Sequence, residues 1–194
     1  MGPKRYRWWH GVAFYAGVQV ASIALKIAAR ALANPQKPDS SVADRQFYRS
    51  ERLPVFAPPG AAFPIAWGIN SISSIAGGLH VLKLPAGTEG REEFLKLQGA
   101  AWALFSTFNA AYFELRSPIN AAAVTLLYSA VTAASLDVAW RRMRDPVAAL
   151  SLATTALWLM VANPLAIAQA SWNHDPFWNA GPFAEPKPEW LKRP

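Results

Sequence analysis

Few residues in this 194-residue chain have a type and a setting that suggest chemistry, and His80 is the first of them. It follows Gly77 and Gly78 inside a stretch without a single Asp, Glu, Lys or Arg. A neutral imidazole there is a candidate metal ligand, to the magnesium or iron of a tetrapyrrole such as a bacteriochlorophyll, porphyrin or haem. The glycines one turn back would leave room for the flat macrocycle. The plainer reading is a histidine hydrogen-bonded to a lipid headgroup or a neighbouring helix. Asp137 is the other candidate, because an acid within an apolar helix suggests a proton relay. Arg141 stands four residues later on the same helical face and Trp140 beside it, which points instead to an ion pair near a membrane surface. His10 and His174 lie at the ends of apolar stretches.

Other chemistries find no residues. The chain has no cysteine, which removes thiolate nucleophiles, iron–sulfur clusters and cysteine-ligated zinc. No His-x-x-x-His pair, Gly-Lys-Ser loop or G-x-S-x-G elbow occurs. The expectation is a protein that is not an enzyme. Aromatic residues are abundant, with nine tryptophans. Trp8, Trp9, Trp140, Trp172, Trp178 and Trp190 fall at or beyond the ends of apolar stretches, as an interfacial belt requires. Trp67, Trp102 and Trp158 fall inside. With Phe63, Phe105, Phe108, Tyr112 and Phe113 they either line a cavity for a planar apolar ligand or fill helix contacts. Phe63, Trp67, Phe108 and Trp158 are the candidate ligand-binding residues.

The elements that must hold these side chains are written in the charge distribution. Only 16% of residues are charged, and five stretches are wholly uncharged: Trp8 to Leu25, Leu53 to Leu82, Leu97 to Phe113, Ser117 to Leu136 and Pro146 to His174. A bilayer core about 30 Å thick needs about 20 apolar helical residues, so each stretch spans it or nearly does. The expected fold is an all-α integral membrane protein, a five-transmembrane-helix bundle over residues 1–173 with spans near 8–30, 59–83, 93–114, 118–141 and 146–172. Ala31-Leu32-Ala33 has the form of a signal-peptidase site, but Lys26 and Arg30 intervene, so the first segment reads as a span with both basic side chains snorkelling to the headgroups.

Residues 34–58 form a polar connector with a short helix expected around Ser41 to Glu51. Pro58 and Pro59 are expected to open the second span, Ser117-Pro118 the fourth and Asp145-Pro146 the fifth. Short connections force antiparallel neighbours, and the small residues that dominate the spans predict close packing. Pro164 removes a helical donor, with Asn163 placed to help the freed carbonyl. The net charge of +7 resides at span ends rather than in a nucleic-acid face. Lys and Arg are equally divided between the two faces, so charge sets no orientation. Residues 174–194 make a Pro/Trp-rich tail, too irregular to fold alone, whose Phe177, Trp178, Phe183 and Trp190 would anchor other integral membrane subunits.

The run Phe56-Ala57-Pro58-Pro59-Gly60-Ala61-Ala62-Phe63-Pro64-Ile65-Ala66-Trp67, the long first connector and the tryptophan abundance together resemble the tryptophan-rich sensory protein/translocator protein (TspO/MBR) family. Tyr112-Phe113 matches its paired aromatics late in the third helix, and Phe108 takes the place of a tryptophan before them. Trp158 and Asn173 match residues of its fifth helix. Phe105-Ser106 stands where the family has Asn-Trp, Thr154-Thr155 where it has Pro-Tyr, and Ala166 where it has an inner Asn. The resemblance implies a TspO-like bundle binding porphyrins, sterol-like lipids or aromatic drugs. Two roles fit: an accessory subunit of a larger photosynthetic or respiratory membrane complex, contacting pigment, haem or lipid, and a free-standing receptor or transporter with its own cavity. The expected location is a bacterial inner membrane or an equivalent energy-transducing membrane.

Overall fold

The computed structural model describes residues 6–33 and 41–192, and among these every regular element is helical. In chain order they are α1 (Trp8–Ala33), α2 (Ser41–Ser50), α3 (Ala62–Lys83), α4 (Arg91–Asn109), α5 (Pro118–Asp137), α6 (Pro146–Leu150) and α7 (Ala153–Trp172). Five-residue π-helical turns, Ala110–Glu114 and Val138–Arg142, prolong α4 and α5. Four segments are long and apolar enough to cross a membrane: Trp8–Ala33, Ala62–Lys83, Pro118–Arg142 and Pro146–Trp172. The segment beginning at Arg91, expected as a further span, is not among the four; its first turns carry Arg91, Glu92, Glu93 and Lys96.

Local chemistry explains the helix starts. Ser117 Oγ accepts from Asn120 N at 3.0 Å with Pro118 at the first helical position, and Asp145 Oδ1 accepts from Val147 N and Ala148 N at 2.9 Å ahead of Pro146. Each cap satisfies donors that have no partner within the helix. The Pro58-Pro59 pair behaves otherwise: α3 begins at Ala62, whose N–H donates to Pro59 O, so the prolines shape the preceding turn. A turn at Ser151 and Leu152 separates α6 from α7, where one uninterrupted helix was expected.

The core sits where small residues let helices approach. Val81, Phe94, Val138, Ala139, Ala148, Ala149 and Leu152 form one buried cluster, joining α3, α4, the α5 extension and α6. Gly77 of α3 lies against Ser151, so closely that a Cβ at Gly77 would overlap the serine side chain. The outward faces are apolar: Val12, Val20, Ile27, Ile72, Leu127, Leu157 and Met160 are all exposed, as lipid contact requires. Asn163 Oδ1 accepts from Ser129 Oγ of α5 at 2.7 Å, a bond across the helix interface rather than to the carbonyl freed by Pro164.

Candidate functional site

Most of the aromatic residues singled out above meet in one region. Phe63 of α3 contacts Trp158 of α7, with ring centroids 5.4 Å apart and planes nearly perpendicular, and contacts Tyr48 of α2 at 5.3 Å. Trp67, one turn along α3, packs edge-on against Phe105 at 5.3 Å and Tyr128 at 5.6 Å. Phe108 lies 5.9 Å from Tyr112, which also meets Phe47 and Phe113. The contacts of Phe63 and Trp67 are edge-to-face, which suits the ring quadrupole, and those of Tyr112 are tilted. Phe63, Trp67, Phe108 and Trp158 are half-buried.

His80 is not part of it. Thirteen residues separate it from Trp67 on one helix, a rise of about 20 Å. Its Nε2 lies 2.7 Å from Asp145 Oδ2, and since a carboxylate only accepts, that nitrogen carries the hydrogen and only Nδ1 remains to ligate anything. Burial opposes ionisation of Asp145, but bonds from Ala148 N–H, His80 and Val147 N–H outweigh it and hold the carboxyl below its ordinary value. His80 thus fastens the end of α3 to the start of α6, and a metallated macrocycle against Trp67 and Trp158 does not fit an axial bond from His80. Among the described residues no group of three or more His, Cys, Asp or Glu could hold a metal ion. Asp137 pairs with Arg141 at 3.0 Å in an exposed position.

Lys26 and Arg30, expected to reach the headgroups, meet carboxylates of their own chain. Arg30 donates through Nε and Nη2 to the two oxygens of Glu114 at 3.1 and 3.0 Å, and Lys26 Nζ lies 3.4 Å from Glu114 and 3.1 Å from Asp44 of α2. Glu114 is 1% exposed. The π turn Ala110–Glu114 carries the helix past Asn109 and places this carboxylate beside α1. The signal available in the sequence was the pair of bases four residues apart and an acid closing the third uncharged stretch.

The connector and tail close the same end of the bundle. Asn173 accepts from Arg52 N at 2.7 Å and donates to Gln169 O, while Gln169 donates to Tyr112 Oη at 2.6 Å. Buried Asp175 accepts from Ser117 Oγ, Ile119 N and Trp178 N. Glu51 lies near Asp175; burial first and that neighbour second push its carboxyl up to about 7. Burial likewise pushes the Tyr48 phenol up to about 12, and its hydroxyl donates to Pro58 O.

The tail, expected to be unable to fold alone, is tied to its own chain. Phe183 N and Ala184 N donate to Ser171 O, Val55 N to Trp190 O, Lys192 N to Leu53 O, and Trp178 Nε1 to Asn120 Oδ1. The reason is backbone pairing between segments distant in sequence, which residue type does not announce. Phe177, Trp178, Phe183 and Trp190 nevertheless remain exposed. Two hollows lie away from the aromatic region: about 410 Å³ beside Gly87, Gly90 and Glu93, and about 350 Å³ beside Val55, Pro188 and Leu191.

No match was found among curated proteins. Residues 19–172, which include all the aromatic contacts between α3, α4, α5 and α7, match the TspO/MBR family; the chain belongs to that family and, with its four membrane-length apolar helices, is a multi-pass integral membrane protein.

Proposed function

We propose that this protein is a membrane receptor or carrier that holds a flat, largely apolar molecule between α3 and α7, with Phe63, Trp67 and Trp158 as the contacting rings and Phe108 supporting them. The observation that carries this reading is the half-buried ring ensemble spanning both helices, with Phe63 set edge-on to Trp158 at 5.4 Å. On this reading Arg91–Glu114 is a fifth crossing, because Leu97 to Phe113 is uncharged and the basic and acidic residues of its first turns can stay in the headgroup layer. A tetrapyrrole is accommodated by ring stacking alone, without a metal bond to His80.

Titration of the purified protein with protoporphyrin IX, and separately with ethylanthracene, tests this by quenching of tryptophan fluorescence. Saturable quenching that weakens in Trp158→Phe and Trp67→Phe supports the site; quenching by neither compound overturns it. A second reading, an accessory subunit of a larger membrane complex, is favoured by the exposure of Phe177, Trp178, Phe183 and Trp190 in one tail. Gentle extraction distinguishes the two: co-migration with large partners supports the subunit, and migration as a lone monomer or dimer rejects it.

A further inference from the structure

Two carboxyl groups lie near each other where the connector after α2 meets the start of the tail, and only one of them is supplied with donors. Asp175 is fully buried; its Oδ2 accepts from Ser117 Oγ at 2.6 Å and Ile119 N at 2.9 Å, and its Oδ1 from Trp178 N at 2.9 Å. Ser117 is the cap of α5, so Asp175 is tied into the start of that helix. Glu51 Oε2, by contrast, is buried without a hydrogen-bond partner. A charge on Glu51 is desolvated and stands beside a second carboxylate, and both effects favour the protonated form. Its carboxyl is accordingly pushed up to about 7, by burial first and Asp175 second.

No other neighbour offsets this. The bases closest in the chain are engaged elsewhere: Arg52 with Glu185 at 2.8 Å, and Arg116, beside Ser117, over the ring of Phe47 at 5.8 Å. Arg49 is exposed. The remaining groups around Glu51 are the phenols of Tyr48 on α2 and Tyr112 on the π turn, and the neutral Gln169 and Asn173 at the end of α7.

Glu51 is also where a zipper begins. Arg52 N donates to Asn173 Oδ1 at 2.7 Å, and Asn173 Nδ2 donates back to Arg52 O at 3.2 Å. Lys192 N then donates to Leu53 O at 2.8 Å, Val55 N to Trp190 O at 2.9 Å, and Lys192 Nζ to Ala57 O at 2.7 Å. The tail has a separate hold on α7, because Phe183 N and Ala184 N donate to Ser171 O at 2.8 and 3.0 Å. Lys26 bonded to Asp44 holds the opposite end of α2 to α1. The connector can thus part from the tail while both α2 and α7 stay in place, as a local opening.

We propose that Glu51 is the proton-sensitive catch of this zipper: protonated, it rests beside Asp175 and the connector stays joined to the tail; deprotonated, it moves out to water and residues 52–57 come away. A carboxyl whose value is raised in the closed form stabilises that form at low pH and ceases to do so as pH rises through the raised value. The zipper is closed in mildly acidic water and loosens above neutrality, so the pH at this face of the membrane sets how the connector is held.

Hydrogen exchange in the full-length protein in lipid nanodiscs, resolved to single amides and corrected for the chemical exchange rate at each pH, tests this. With values of about 7 closed and 4.5 open, the closed form is favoured about tenfold more at about pH 6 than at about pH 8.5. Protection of the Arg52, Val55 and Lys192 amides should therefore fall about tenfold over that range, while Phe183 and Ala184 keep theirs. Glu51→Gln should show equal protection at both pH values, because an amide neither ionises nor repels Asp175; should it fail to fold, Glu51→Met carries the same expectation. Protection that does not change with pH in the unaltered protein, or a fall that persists in the variant, overturns the catch. Loss at Phe183 and Ala184 in step with the other three overturns it as well, since the whole end of the bundle then unfolds together.

Discussion

Replacement of Glu114 by Gln removes one negative charge from the least exposed ion cluster in the described structure and keeps the side-chain shape. The carboxylate accepts two bonds from Arg30, at 3.1 and 3.0 Å, and lies 3.4 Å from Lys26. Breaking a buried ion pair by removing one partner costs about 3–5 kcal/mol. Arg30 and Lys26 keep 17% and 24% of their side-chain surface, and Asp44 still balances Lys26, so the expected loss is about 2–3 kcal/mol. For a chain of this length each kcal/mol moves Tm by about 2–4 °C, which predicts a fall of about 4–12 °C. Thermal unfolding in detergent, followed by tryptophan fluorescence, measures it directly. The double variant Glu114→Leu with Arg30→Met should recover most of the loss, because apolar residues of similar volume leave no buried charge. A Gln variant melting within about 1 °C of the parent would refute the claim that this cluster locks α1 to the end of α4.

Glu51 supplies a pH dependence. Its carboxyl is raised from an ordinary value of 4.5 to about 7, so between those values the folded chain holds a proton that the unfolded chain has released. Stability must then fall as pH rises through that window and level off above it. After allowance for solvent screening the loss is about 1–2 kcal/mol, and Glu51→Gln should flatten a plot of Tm against pH. Gly77→Ala should destabilise by about 1–3 kcal/mol because the new methyl overlaps Ser151, whereas Gly78→Ala, with open space around it, should be neutral or stabilising; comparative melting tests the pair. Asp145→Ala removes an N-cap and the partner of His80 together and should lower stability by about 1–2 kcal/mol in a denaturant series at neutral pH. The Asp145 carboxyl is held low, so that contribution should vanish as pH falls through its folded value.

Features set by local chemistry were legible in the sequence, and those set by distant pairing were not. Most residues of the uncharged stretches are helical, because lipid contact demands both apolar surface and internal hydrogen bonding. Ser117-Pro118 and Asp145-Pro146 start helices through bonds spanning three residues. The residues of the proposed site, Phe63, Trp67, Phe108 and Trp158, were visible as aromatics inside apolar stretches, although which rings touch depends on helix rotation. Glu114 was hidden because an acid at the end of an uncharged stretch looks like a loop residue, and only the π turn brings it back to α1. His80 drew attention as a ligand because its partner, Asp145, is 65 residues away. The tail looked unfoldable because its stabilising bonds go to Leu53, Val55, Asn120 and Ser171.

The central claim is that α3 and α7 together hold a flat apolar ligand. Photo-crosslinking with a diazirine-bearing anthracene in nanodiscs, followed by mapping of labelled residues by mass spectrometry, addresses it most directly. The account predicts saturable labelling around Phe63 to Asn70 and Thr154 to Trp158, displaced by unlabelled ethylanthracene. Labelling spread over the lipid-facing residues of α1, unaffected by competitor, would contradict it.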